Sequence, residues 1–204
     1  MKIRRLKACT IYLLVIFLAS CGSDKLEPLN SNDTILAFGD SLTFGVGAEK
    51  NQSYPNALEL LTGLSVINAG ISGETTSEGV KRFQAELNKH SPKLVVLLEG
   101  GNDILRNHNK TITKKNLASM IEMASVYGAK VVLIGVPEKK LFSNSAPFYA
   151  ELADQYNLAF DDDILADLLR SSEYKSDPIH LNSAGYQKLA EGIYQLLRDN
   201  GALQ

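Results

Sequence analysis

From residue 34 onward, short continuous apolar runs alternate with stretches whose apolar positions recur every three to four residues. Residues 34–38 (Thr-Ile-Leu-Ala-Phe) form the first run and are stopped by Gly39. Residues 64–68, 93–98 and 130–135 repeat the pattern, and 157–160 give a weaker fifth run. Runs of four to six residues without polar alternation read as strands buried on both faces. Between them, 76–89 sets Val80, Phe83, Ala85 and Leu87 among charges, and 113–127 puts Leu117, Met120, Ile121 and Ala124 on one side. Residues 148–156 give a shorter helix. The last, 183–200, carries Tyr186, Leu189, Ala190, Ile193, Leu196 and Leu197 at helical spacing and stops at Asn200-Gly201. Strand and helix in alternation predict βαβ units around a central parallel sheet, here five-stranded.

The first twenty residues obey a different pattern. Met1 to Lys7 holds four basic residues and no acidic one, residues 8–19 are an apolar run, and Leu18-Ala19-Ser20-Cys21 ends it with small residues. A cationic start, a short apolar stretch and a small-residue end describe an export signal. About a dozen residues are too few to cross roughly 30 Å of hydrocarbon comfortably as a helix, a membrane span being the alternative reading. Leu18-Ala19-Ser20-Cys21 also resembles the lipobox of bacterial lipoproteins, which implies acylation of Cys21 and cleavage just before it. The expected division is therefore a signal peptide over 1–20, a polar lipidated tether over 21–32, and a single domain over 33–204.

Composition narrows the function classes. The two cysteines of the 204-residue chain are Cys9 and Cys21, so the domain holds none. That excludes disulfides, zinc-thiolate sites and a cysteine nucleophile from it. The formal charge is −2, and losing the leader's four basic residues leaves 17 basic against 23 acidic, or −6. An acidic domain without a basic tract argues against nucleic acid as a partner. Lys114-Lys115 and Lys139-Lys140 are solvated surface on this reading.

Parallel sheets place their sites beyond the carboxyl ends of strands. The first strand is followed by Gly39-Asp40-Ser41-Leu42-Thr43, the second by Asn68-Ala69-Gly70-Ile71-Ser72-Gly73, the third by Gly100-Gly101-Asn102-Asp103. Asp177-Pro178-Ile179-His180 stands before the last helix. A serine hydroxyl becomes a nucleophile when an imidazole takes its proton and a carboxylate fixes the imidazole tautomer. Of the three histidines, His90 falls at a helix end, and His108 lies in a polar loop as surface or as site lining. His180, with Asp177 three residues earlier, is the best base; the same segment could also be a plain turn before the helix.

Gly39-Asp40-Ser41-Leu42, Gly73, Asn102 and Asp177-Pro178-Ile179-His180 together resemble the four sequence blocks of the GDSL (SGNH) hydrolases, in order and spacing. The resemblance runs from Ile35 to about Leu197. It is strongest toward the bacterial extracytoplasmic lysophospholipase, thioesterase and arylesterase branch, through residues 68–76 and 99–103. It implies Ser41 as nucleophile, His180 as general base and then acid, and Asp177 as orienting carboxylate. It implies an oxyanion hole made of the Ser41 and Gly73 backbone amides and the Asn102 side-chain amide. Asp40 and Asp103 are expected to serve as structural hydrogen-bonding groups.

Rival motifs fail. Gly-x-Ser-x-Gly is broken by Thr43 and by Glu74, Gly45-Val46-Gly47 is too short for a dinucleotide fingerprint, and no phosphate loop or His-Glu-x-x-His occurs. The reading is a flavodoxin-like three-layer α/β/α domain that hydrolyses acyl esters through an acyl-enzyme, needing no metal or cofactor. Its partners would be a small-molecule ester or lipid, lysophospholipids and thioesters included, and the membrane through the N-terminal lipid; it is expected to be a monomer of the cell envelope. A carbohydrate O-acetylesterase and a non-catalytic envelope binding protein are the alternatives. Loops 71–78, 104–114 and 137–147 would build the acyl pocket, with Leu105, Leu141 and Phe142 as candidates either for its lining or for plain core or surface packing.

Overall fold

The computed structural model describes residues 25–138 and 144–203. Five strands form one parallel sheet: β1 (Thr34–Gly39), β2 (Ser65–Gly70), β3 (Leu94–Leu98), β4 (Lys130–Ile134) and β5 (Ala159–Asp161). Their order is β2-β1-β3-β4-β5. β3 is buried along its whole length and β1 at all but its first residue, which is why neither shows polar alternation.

Helices cover both faces. On one lie α3 (Thr76–His90), α5 (Lys110–Val126) and α6 (Pro147–Tyr156); on the other α2 (Tyr54–Thr62), α7 (Ile164–Arg170) and α8 (Ser183–Asp199). Two short helices, α1 (Ser41–Phe44) and α4 (Gly101–Leu105), sit at strand ends. Phe83 of α3 meets Phe38 of β1 edge to face, ring centroids 4.7 Å apart. The three-layer arrangement and the flavodoxin-like strand order are those expected. Among the described residues no helix is long and apolar enough to cross a membrane.

Boundaries differ for identifiable reasons. Asn157 takes a left-handed conformation (φ +50°) to close α6, so β5 starts at Ala159 rather than 157. The Asn109 side chain accepts from the Thr111 N–H, which starts α5 three residues before its apolar stripe. α2 and α7 were not anticipated: Leu60 points its apolar side chain to solvent and blurs the stripe of α2, and α7 spans only seven residues.

The expected tether over 21–32 is corrected from Lys25 onward. Leu26 is buried, its N–H donates to Asn200 O at 3.0 Å, and the Leu29 N–H donates to Ala202 O at 2.9 Å. Polar composition concealed this because two leucines carry the packing and the backbone carries the bonds. The leader, Cys21, Lys139-Lys140, Leu141 and Phe142 lie outside the described residues.

The chain leaves β1 toward β2 on one side and returns beside β1 as β3 on the other. This order makes the carboxyl ends of β1 and β3 the switch point of the sheet. Gly39 pairs with both Gly70 and Leu98, so three strands end level and their following loops emerge side by side.

Candidate active site

Gly39 ends β1 where any side chain is forbidden: an added Cβ would lie 1.9 Å from Leu98 O. The tight passage lets the chain turn at once into α1. Asp40 caps that helix, its Oδ1 accepting from the Leu42 N–H at 3.0 Å. Ser41 is thereby the first helical residue, and its N–H has no acceptor within the helix. Asn68 braces the turn from the neighbouring strand by donating to Thr43 O at 2.9 Å.

The segment before α8 supplies the other partners. Asp177 Oδ1 accepts from the N–H groups of Ile179 and His180, both at 2.8 Å, and so bends the chain around its own side chain. Asp177 Oδ2 lies 2.7 Å from His180 Nδ1, and His180 Nε2 lies 3.1 Å from Ser41 Oγ. A proton on Nδ1 shared with the carboxylate leaves Nε2 free to accept from the serine hydroxyl. Desolvation raises the Asp177 carboxyl, but the ring and the two backbone donors outweigh it and hold it below the usual carboxylate value. The imidazole therefore faces an anion at neutral pH.

Gly73 and Asn102 come from the loop after β2 and from α4. Gly73 adopts φ +82°, and its carbonyl accepts from Arg106 Nη2 at 3.0 Å. Asn102, on α4, donates from Nδ2 to Glu74 O at 2.9 Å and at 3.3 Å to Asp40 Oδ2. The first bond fixes the amide plane; the second is long enough to yield to a better acceptor. Ser41, Gly73, Asn102 and His180 all line one cavity of about 730 Å³. Ile104, Leu105, Val136, Ala166, Leu169 and Ile179 make much of its wall apolar, beside Glu138, Arg170 and Lys175.

Behind the site is a buried acidic layer. Asp103 accepts from the Thr76 N–H and Oγ1, both at 2.8 Å, and from Thr113 Oγ1 at 3.2 Å. Glu74 accepts from Arg82 Nε at 2.7 Å, and the Arg82 guanidinium lies 4.0 Å over the Phe38 ring. Burial pushes Asp40 up to about 6, opposed by the Leu42 N–H and by His180. Glu99 is fully buried. Burial, with Asp40 and Glu74 beside it, raises its carboxyl well above the ordinary value. Its Oε1 accepts from the Gly100 N–H, while Oε2 has no hydrogen-bond partner among the described residues.

Asp40 and Asp103 are thus hydrogen-bonding braces, as expected. The structure brings Ser41, Gly73, Asn102, Asp177 and His180 together and keeps the other histidines away. His90 ends α3 at the opposite end of the sheet, 3.4 Å from Glu86. His108 is 3.7 Å from Asp103 and lines not the main cavity but an adjoining recess of about 270 Å³ that shares Ile104 and Glu138 with it. Of the expected lining residues, Leu105 is in the main cavity. Glu74, Glu99, Arg82 and Arg106 were not singled out from sequence. A charged residue inside an apolar run, Glu99 after Leu94–Leu98, was the available signal. Among the described residues, no group of three His, Cys, Asp or Glu side chains is arranged to hold a metal ion.

The profile of the GDSL-like Lipase/Acylhydrolase family matches residues 37–188. Esterase TesA of Pseudomonas aeruginosa is 37% identical over 123 residues, 58% of this chain; the match spans 60% of that esterase's length. An arylesterase of Vibrio mimicus is 30% identical over 196 residues, covering 91% of this chain and 95% of its own. An uncharacterized lipoprotein of Bacillus subtilis, YqeF, is 31% identical over 137 residues, 61% of this chain and 54% of its own. The crystal structure of TesA superposes with a TM-score of 0.74 at 29% identity, covering 82% of this chain and 99% of that one.

Proposed function

The chain belongs to the GDSL-like lipase/acylhydrolase family, and from that membership we propose that it is a serine esterase whose acyl-enzyme forms on Ser41. The observation that carries the reading is the relay from Asp177 through His180 to Ser41, 2.7 and 3.1 Å long, opening into a cavity with an apolar wall. Ser41 Oγ attacks the ester carbonyl carbon as His180 Nε2 takes its proton. The carbonyl oxygen becomes an oxyanion, met by the N–H groups of Ser41 and Gly73 and by the Asn102 amide. Collapse of the intermediate breaks the bond to the alkoxy oxygen, which leaves with the proton from His180. A water then gives its proton to His180 and attacks the acyl carbon. Collapse of this second intermediate breaks the bond to Ser41 Oγ, which takes the proton back from His180 as the carboxylic acid leaves. Asp177 holds the ring and offsets its charge when it is imidazolium.

The apolar wall suits the acyl portion of the substrate, which makes carboxylic esters, lysophospholipids and thioesters the substrate range. For location, the reading is export by the leader at 1–20 and acylation of Cys21, leaving a monomeric enzyme held at the cell envelope. The similarity to a bacterial lipoprotein supports this part.

A fluorophosphonate ester tests the nucleophile. Wild type should be labelled at Ser41 and lose turnover of p-nitrophenyl acetate in step with labelling, while Ser41→Ala should take no label. Labelling of Ser41→Ala at the wild-type rate would defeat the assignment.

A further inference from the structure

We propose that the segment Lys25–Leu29 clamps the domain so that its site opens away from the membrane that holds the anchor, and that its substrates are esters arriving from the aqueous side rather than lipids of that membrane. The proposal rests on the reading of Cys21 as the lipidated residue and adds an orientation to it. Its basis is where the segment lies. Lys25 Nζ donates to Leu158 O at 2.9 Å, just before β5 begins. Glu27 meets Lys93 at 3.1 Å and Lys130 at 3.8 Å, the residues that start β3's approach and β4. The Leu26 and Leu29 N–H groups bond to Asn200 and Ala202, beyond the end of α8. All of these mark the amino ends of the parallel strands. Ser41, Gly73 and Asn102 stand beyond the carboxyl ends.

Lengths then decide the geometry. Strands of five or six residues, at about 3.3 Å each, separate the two ends by roughly 20 Å. From Cys21 to Lys25 there are four residue steps, which span at most about 14 Å even when fully extended. An acyl anchor on Cys21 therefore keeps the amino ends of the strands next to the bilayer. Turning the site onto that bilayer would require peeling Leu26 and Leu29 off the domain, with the loss of two backbone bonds and the burial of Leu26. The clamp selects substrate by approach: the active serine meets what diffuses to the far face.

The cysteine-free domain makes the orientation measurable. Val126→Cys and Ile71→Cys place single thiols at opposite ends: Val126 ends α5 beside Leu26, and Ile71 follows β2 next to Ser72. Both positions are exposed, 84% and 47%. Each full-length, acylated variant is labelled with an environment-sensitive fluorophore and placed in phosphatidylglycerol–phosphatidylethanolamine vesicles carrying a lipid-borne quencher. The Val126 label should be quenched strongly and the Ile71 label several-fold less. A flexible insertion of about 30 Gly/Ser residues between Asp24 and Lys25 should bring the two labels toward equal quenching, since such a linker reaches about 30 Å. With 4-methylumbelliferyl palmitate dissolved in the same bilayer, the insertion variant should turn over at least tenfold faster than the unextended chain, both hydrolysing p-nitrophenyl acetate equally. Equal quenching of the two labels without the insertion, or equal rates on the palmitate ester, would overturn the proposal while leaving the anchor intact. If neither label is quenched and the protein stays in solution, the anchoring reading itself has failed, and the orientation falls with it.

Discussion

At the scale of single residues, the site depends on atoms held ready before substrate arrives. Asn102 has one amide bond fixed on Glu74 O and a weaker one on Asp40 Oδ2. Its value should therefore appear as charge develops on the carbonyl oxygen. Asn102→Ala is expected to lower kcat about 10²–10³-fold with little change in KM, measured on p-nitrophenyl esters; a loss lying wholly in KM would make it a substrate-binding residue. Glu99 gives a prediction of another kind. Its folded-state carboxyl is raised, so its contribution to stability is fully present below about pH 4.5 and is lost as pH rises through the higher folded value. Asp40 behaves alike, through about pH 6. Glu99→Gln has no proton to lose, so its stability by urea unfolding should fall less steeply than that of wild type as pH is raised toward 9. Parallel curves would show that folding does not raise the Glu99 carboxyl. The Asp177 and His180 pair was legible as residues because the three-residue spacing lets one turn hold both. The acidic layer beneath was not, since Glu74 and Glu99 become neighbours of Asp40 only through the sheet.

At the scale of elements, strands and long helices were legible wherever burial is uniform or one-sided. β3 and β4 read clearly because almost every residue is inside. α2 and α7 did not, because short helices lying at the margin of a layer have too few buried positions to show a period. What joins elements was legible only as candidates, and Asp103 is the clearest case. Its carboxylate gathers the first N–H of α3, the Thr76 hydroxyl on the same helix and the Thr113 hydroxyl of α5 onto α4. Asp103→Ala would leave these buried donors unpaired and should cost about 3–5 kcal/mol in urea unfolding. It should also lower activity, since α4 carries Asn102. Asp103→Asn, which can still accept, should recover part of both. A loss below about 1 kcal/mol for Asp103→Ala would mean that packing alone positions α4.

At the scale of the molecule, the order of strands follows from connections too short to cross and from the need to cover two apolar faces, so the three layers could be anticipated from alternation. The site could be placed by the same reasoning, because the connections leaving β1 and β3 run to opposite faces of the sheet at the switch point. The start of the domain could not, since Leu26 and Leu29 are two apolar residues in a polar stretch and gain their meaning only against α8 and β5. That boundary bears on the proposed lipid anchor at Cys21. Without its leader the chain carries a formal charge of −6 and no polybasic tract, so an anionic bilayer repels it. On the proposed reading attachment comes instead from buried hydrocarbon, at about 0.8 kcal/mol per methylene, and two or more acyl chains would make it firm. Cys21→Ser removes the acylation point and leaves every described residue of the domain unchanged. The variant should move from the membrane to the soluble fraction, and its kcat/KM on p-nitrophenyl acetate should stay within about twofold of wild type. If Cys21→Ser remained with the membrane at high salt, a retained apolar leader rather than a lipid would be the anchor. If it were released but inactive, the chain around Cys21 would be supporting the site across the full height of the sheet, contrary to the separation of the two ends described above.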